Sequence, residues 1–161
     1  NWYKIVEILL WQYAFKAQER QIHVVLSSSI DAPIIHADID LTTQIMENLL
    51  SNALKFTPPG KTVEISFEQK DDARILCRVR DEGLGIRKEE MGLLFSRYGI
   101  LSSARAVGKE HSSGIGLYMA KKMAEAMNGS LQCDSEDGKG SVFTVELPAA
   151  SYQDVQRLSQ N

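Results

Sequence analysis

The sequence predicts a two-layer α/β sandwich, one mixed β-sheet with helices packed on one face. Three observations carry this expectation. Apolar residues recur at helical spacing in long stretches, they alternate at period two in shorter ones, and consecutive hairpin patterns close the chain. The 161 residues are 43% hydrophobic and 24% charged. That suffices for one globular domain with a sizeable core, expected over residues 1–150, with 151–161 as a polar tail or linker. A net charge of −3 argues against broad affinity for nucleic acid or anionic membranes. No apolar run reaches the ~18 residues of a membrane span, and no signal-peptide pattern is present. Cys77 and Cys133 sit in apolar, strand-like stretches and read as free thiols in a reducing compartment. Asn1 stands where a complete chain would carry methionine, so the expectation is a segment of a longer protein.

Trp2 to Gln18 places Ile5, Ile8, Leu9 and Tyr13 on one helical face. "IHVVLSS" from Ile22 is β-branched and reads as a strand. A connection with Pro33 follows. Asp40 and Thr42 then offer N-cap oxygens for a second helix to about Phe56, which "TPPG" must stop. "TVEISFEQ" and "RILCRVRD" alternate and suggest a hairpin about "KDD"; "KEEMGLLF" reads as a short helix ending near Phe95. From Tyr98 to Ser113 the composition is that of a loop. Loops so long inside a compact domain are often lids or binding loops. "LYMAKKMAEAM" is helical and stops at Asn128-Gly129. "SLQCDS" and "SVFTVEL" form a last hairpin around "EDGKG". No repeat or low-complexity segment interrupts this pattern.

The second helix carries an unusual face. Within "NLLSNALKF", Asn48, Asn52 and Lys55 fall in a sector of about 60°, opposite Met46, Leu49, Leu50, Ala53 and Leu54. Asparagine is a poor helix former and costly when buried unpaired. Two amide oxygens can help hold a hydrated Mg²⁺, Lys55 suits a phosphate, and Phe56 offers a flat surface to a base. The plain alternative is that the amides bond backbone and Lys55 is solvated. Asp81, in "DEGLGI", continues the Ile75/Cys77/Val79 alternation and so points into apolar space, where a carboxylate needs a donor. An adenine amino group would supply one; guanine presents an acceptor there. Gly83 and Gly85 let the chain turn tightly against a ligand, although a glycine-rich turn beside a solvated Asp81 is the plain alternative. In "SSGIGL", Gly114 and Gly116 precede a helix, and such N-termini bind phosphate; an ordinary flexible helix entry reads the same. Arg97 in "LFSRYGI" could reach a terminal phosphate or be a surface charge. "GKGSVF" is a hairpin turn.

In order and spacing, these pieces resemble the catalytic and ATP-binding domain of sensor histidine kinases, within the Bergerat-fold ATPases. "NLLSNALKF" resembles the N box, "DEGLGI" the first glycine box, "LLFSRY" the F box, "SSGIGL" the second glycine box and "GKGSVF" the third. The resemblance runs from Asn1 to about Leu147. It implies ATP and Mg²⁺ as cofactors. Asn52 would be the main metal ligand, with Asn48 supporting metal and phosphates. Lys55 and Arg97 would serve the phosphates and the transfer. Phe56, Ile86 and Tyr98 would border the nucleotide, and Asp81, backed by Gly83 and Gly85, would accept from the adenine amine. Residues 98–113 would be the ATP lid, closed over the phosphates by Gly114, Ile115, Gly116 and Leu117, with Ser141 near the base. One departure stands at Ser112, where the family usually has another glycine.

The same resemblance implies partners: a phosphoacceptor helical hairpin of the same kinase, dimeric in the full-length protein, and a response-regulator receiver domain. It implies a cytoplasmic location, with a parent that can be membrane-anchored. His23, His36 and His111 lack the acceptor context. Hydrolysing fold relatives place a glutamate base where this chain has Asn48, and Glu47 points about 100° away. A degenerate nucleotide-binding or docking module, hinted at only by Ser112, and an anti-sigma-factor-type serine kinase are the alternative readings.

Overall fold

A computed structural model describes residues 1–97, 99 and 114–159. Helix α1 (Trp2–Glu19) is capped by Asn1, whose side chain accepts from the Lys4 N–H at 3.2 Å. It buries Trp2, Val6, Leu9 and Ala17. Strand β1 (His23–Ser28) follows. Helix α2 (Ile39–Phe56) buries Ile45, Met46, Leu49, Leu50, Ala53 and Leu54. Its cap is Asp38, which accepts from the Leu41 N–H at 2.9 Å, and not Asp40 or Thr42. Asp38 is the last residue with extended backbone, so its carboxylate faces the first open N–H groups. Thr42 lies one turn inside and donates to the Asp38 carbonyl. At the other end Thr57 is extended, as a residue before proline must be.

Strands β2 (Thr62–Asp71) and β3 (Arg74–Asp81) form the expected hairpin. The short helix expected in "KEEMGLLF" is a 3-10 helix over Lys88–Leu93, ending two residues before Phe95. The stretch is too short to offset helix nucleation, and Gly92 lowers its propensity further. Helix α3 (Gly116–Ala126) ends as predicted: Asn128 turns left-handed at φ 57° and the Gly129 N–H reaches the Ala124 carbonyl at 2.8 Å. Strands β4 (Ser130–Glu136) and β5 (Gly140–Pro148) close the chain's last hairpin. Beyond them, where a polar tail or linker was expected, lies helix α4 (Tyr152–Ser159). A reciprocal cap starts it. The Ser151 N–H donates to Asp154 Oδ2 at 2.9 Å, and the Asp154 N–H donates to Ser151 Oγ at 3.2 Å. The lid expectation, with Tyr98, His111 and Ser112, falls outside the described residues.

The sheet order is β1-β2-β3-β5-β4, with β1 parallel to β2 and the other pairs antiparallel. This mixed sheet carries α1, α2 and α3 on the face formed by Val63, Ile65, Phe67, Cys77, Val79, Val145 and Leu147. The Phe67 ring meets Trp2 edge-on, with centroids 5.5 Å apart. The opposite face is charged, with Arg78 paired to Glu68 and Lys70 to Glu146 at 2.7 Å. Alternation along each strand thus separates a core face from a wet one.

Phe67→Ala should cost about 3–5 kcal/mol, because the deletion opens a cavity under Trp2. Glu68→Ala, one residue on but facing solvent, should stay within about 1 kcal/mol. Urea unfolding of both variants measures the contrast.

Candidate functional site

Four helices and strands and two connecting segments converge on one cavity near the end of α2. Asn52 and Phe56 come from α2, and Asp81 from the end of β3. Gly85 and Ile86 come from the turn after it, Leu94 from beyond the 3-10 helix, Leu117 from α3, and Ser141 and Phe143 from β5. Asp81 is buried, 6% exposed, although β3 ends there. Strand alternation places it on the core face after Ile75, Cys77 and Val79. Its Oδ1 accepts from the Gly83 N–H at 2.9 Å. Loss of hydration pushes its carboxyl up from the ordinary 3.8 to about 6, against the opposing pull of the Gly83 and Ser141 backbone N–H groups.

The glycines after Asp81 are needed for space. A Cβ on Gly83 would stand 2.6 Å from Asp81 Oδ1 and 2.7 Å from the Phe56 carbonyl oxygen. Gly85 has a left-handed φ of 68°, and a Cβ there would stand 2.0 Å from the Glu136 carbonyl oxygen. The close approach at Gly85 is therefore to the β4–β5 hairpin, whereas the sequence suggested an approach to a ligand.

On α2, Asn48 donates its amide N–H to the Gln44 carbonyl at 2.9 Å. Its Oδ1 looks toward the first residue of α3, since a Cβ on Gly116 would stand 2.6 Å from that oxygen. No side chain caps α3 at Ile115, and Gly114 enters the helix with φ 66°. The amide face of α2 and the N-terminus of α3 are thereby neighbours. Lys55 lies with Nζ 5.6 Å from the centre of the Phe56 ring. Glu47 faces the other way: its charge, after burial, helps raise the Tyr13 hydroxyl on α1. Arg97 is exposed beyond Ser96 and does not line the cavity.

Of the residues expected at a site, the cavity gathers Asn52, Phe56, Asp81, Gly85, Ile86, Leu117 and Ser141. Asn48, Gly114, Ile115 and Gly116 stand at the adjoining α2–α3 corner, and Gly83 backs Asp81. Leu94 and Phe143 were not anticipated. The Phe143/Val145/Leu147 alternation marks Phe143 as inward-facing, and that signal could have found it. The arrangement offers a flat apolar slot with oxygen acceptors at its floor. At its mouth stand neutral amide oxygens beside a helix N-terminus.

The family model described as "Histidine kinase-, DNA gyrase B-, and HSP90-like ATPase" matches residues 37–151. Sensor histidine kinase WalK of Bacillus subtilis is 36% identical over 121 residues, covering 74% of this chain and 20% of WalK. Sensor protein SrrB of Staphylococcus aureus is 35% identical over 111 residues, covering 69% of this chain and 19% of SrrB. The chain thus spans about a fifth of the length of these relatives. The mycobacterial sensor histidine kinase MprB has a similar structure, with a TM-score of 0.78, 25% identity, and coverage of 91% of this chain and 94% of that one. Full-length ShkA, solved in complex with AMPPNP, shares the fold at a TM-score of 0.80 and 24% identity, covering 94% of this chain and 31% of ShkA.

The buried carboxyl gives the empty protein a pH signature. Asp81 binds its proton more tightly folded than unfolded, so its contribution to stability is present below about pH 4 and is lost as pH rises through about 6. The loss amounts to about 3 kcal/mol over that window. Asp81→Asn should flatten this part of the stability–pH curve, as followed by urea unfolding of the ligand-free chain.

Proposed function

The chain belongs to the histidine kinase-, DNA gyrase B- and HSP90-like ATPase family, and from that premise we propose that it binds Mg·ATP and transfers the γ-phosphoryl group to a histidine on a separate helical-hairpin domain. The observation that carries the reading is Asp81, a buried carboxylate at the floor of a largely apolar slot. A purine amino group fits that floor, with Phe56, Ile86, Leu94 and Phe143 around the ring. The phosphates then extend toward the N-terminus of α3, which Gly114 enters with a left-handed backbone and where Gly116 lies beside the Asn48 oxygen.

The residues present fit a magnesium ion. Asn48 spends its donor on Gln44 and keeps its oxygen toward α3, and Asn52 offers a second neutral oxygen on the same face. When bound, the ion neutralises phosphate charge. The chain's own residues position the nucleotide: Asn48 and Asn52 hold the phosphate end, Lys55 and Arg97 add positive charge, and Asp81 sets the depth of the base. Such positioning and charge stabilisation are most of what phosphoryl transfer asks of a protein. Hydrolysis as the main activity is disfavoured. Among the described residues Asp81 is the sole carboxylate lining the cavity, and Glu47 turns toward Tyr13.

The acceptor hairpin and a response-regulator receiver domain are the proposed partners, with catalysis on the cytoplasmic side, where ATP is available. No helix among the described residues is long and apolar enough to cross a membrane.

Calorimetry should show Mg²⁺-dependent ATP binding and GTP binding weaker by about 5- to 150-fold, the cost of 1–3 kcal/mol for a mispaired buried polar group. Equal affinities would remove Asp81 from the base site. With radiolabelled ATP, this chain alone should stay unlabelled, and a hairpin supplied in trans should acquire acid-labile phosphate. Asn52→Ala should abolish that transfer and leave the urea midpoint nearly unchanged, because Asn52 lies off the core face of α2.

A further inference from the structure

Ser135, on β4, does not line the cavity, yet its hydroxyl meets two residues that do, Ile86 and Ser141, and the Gly140 carbonyl beside them. The Ile86 N–H donates to Ser135 Oγ at 2.9 Å, the Gly140 carbonyl oxygen lies 2.9 Å away, and Ser141 Oγ lies 2.8 Å away. A serine hydroxyl has one hydrogen and two lone pairs. The Ile86 N–H can only donate and takes one lone pair. The Gly140 carbonyl can only accept and takes the hydrogen. What remains for Ser141 is the second lone pair, so Ser141 must donate to Ser135.

That direction has a consequence across the strand. Ser141 pairs with Asp81 in the β3–β5 register, and both line the cavity. With its hydrogen turned toward Ser135, Ser141 shows the cavity only oxygen lone pairs. Asp81 shows carboxylate oxygens. The floor of the slot is therefore built of acceptors. An amino group, with two hydrogens, satisfies such a floor; a ring carbonyl leaves acceptor facing acceptor.

We propose that Ser135 is a positioning residue for nucleotide specificity, fixing the Ser141 hydroxyl as an acceptor so that the slot selects a base edge bearing an amino group over one bearing a carbonyl. The proposal rests on the nucleotide-binding reading above and goes beyond the selectivity of Asp81 alone. Without Ser135, the Ser141 hydroxyl is free to rotate and donate to a carbonyl.

The test compares ADP with inosine diphosphate, whose base carries a carbonyl and an adjacent ring N–H where adenine carries an amino group and a bare ring nitrogen. Affinities are measured by calorimetry for the wild-type chain, Ser135→Ala and Ser135→Thr. Ser135→Ala should lower the ADP preference by about three- to tenfold, the worth of one neutral hydrogen bond. Ser135→Thr, which keeps the hydroxyl, should restore it. If Ser135→Ala weakens both nucleotides by the same factor, Ser135 only supports the hairpin and the proposal fails. If Ser135→Ala does not fold, Ser141→Ala takes its place. It removes the oriented acceptor and should reduce the preference similarly; an unchanged preference overturns the proposal. A wild-type chain that binds neither diphosphate would overturn the function proposed above and this inference with it.

Discussion

Taking the Asp81 carboxyl out of water costs free energy that an aliphatic side chain at the same strand position would not. Much of the surrounding structure is arranged around that cost. Gly83 has no side chain, so its N–H can reach Oδ1 without collision. The turn then bends back at Gly85 and abuts the Glu136 carbonyl, which brings the β4–β5 hairpin alongside. Ser135 ties that hairpin to Ile86 and, within the hairpin, bonds Ser141, directly opposite Asp81. Remove the buried charge and these close approaches have no evident purpose.

Helix α2 shows how one element serves core and site at once. Its buried stripe from Ile45 to Leu54 packs against the sheet and α3, while Asn48 and Asn52 face the corner where α3 begins. The stripe fixes the rotation of the helix, and that rotation aims the amides. Packing and function are thus coupled through geometry rather than through shared residues. Loss of an asparagine should spare the fold, whereas a misfitting leucine replacement would displace the site.

The parts of the molecule set by simple periodicity were legible in advance. Alternation in β2 and β3 located their hairpin and pointed Asp81 inward, and the 3.6-residue period of α2 divided core from amide face. What escaped were features decided by competition between near neighbours. Asp38, not Asp40, caps α2 because the backbone is still extended there. Gly92 and the brevity of its stretch favoured 3-10 geometry over an α-helix. The polar composition after Pro148 masked the Ser151/Asp154 cap that starts α4. Ser135 was invisible because its importance lies in hydrogen-bond direction across two strands, which no linear spacing encodes.

The two indoles of this chain sit in opposite surroundings. Trp2 is fully buried against Phe67, whereas Trp11, on the same helix, is 86% exposed. Native fluorescence is therefore the sum of a dry, blue-shifted emitter and a wet, red-shifted one. A soluble quencher would silence Trp11 first and leave the signal of Trp2. Phe67 pairs with Cys77 and lies four residues along β2 from Val63, the partner of Asp81, a separation of about 13 Å. The buried indole thus reports whether α1 is seated on the sheet and is remote from the base slot. Its spectrum follows folding, and an optical assay of occupancy would need a fluorophore placed elsewhere.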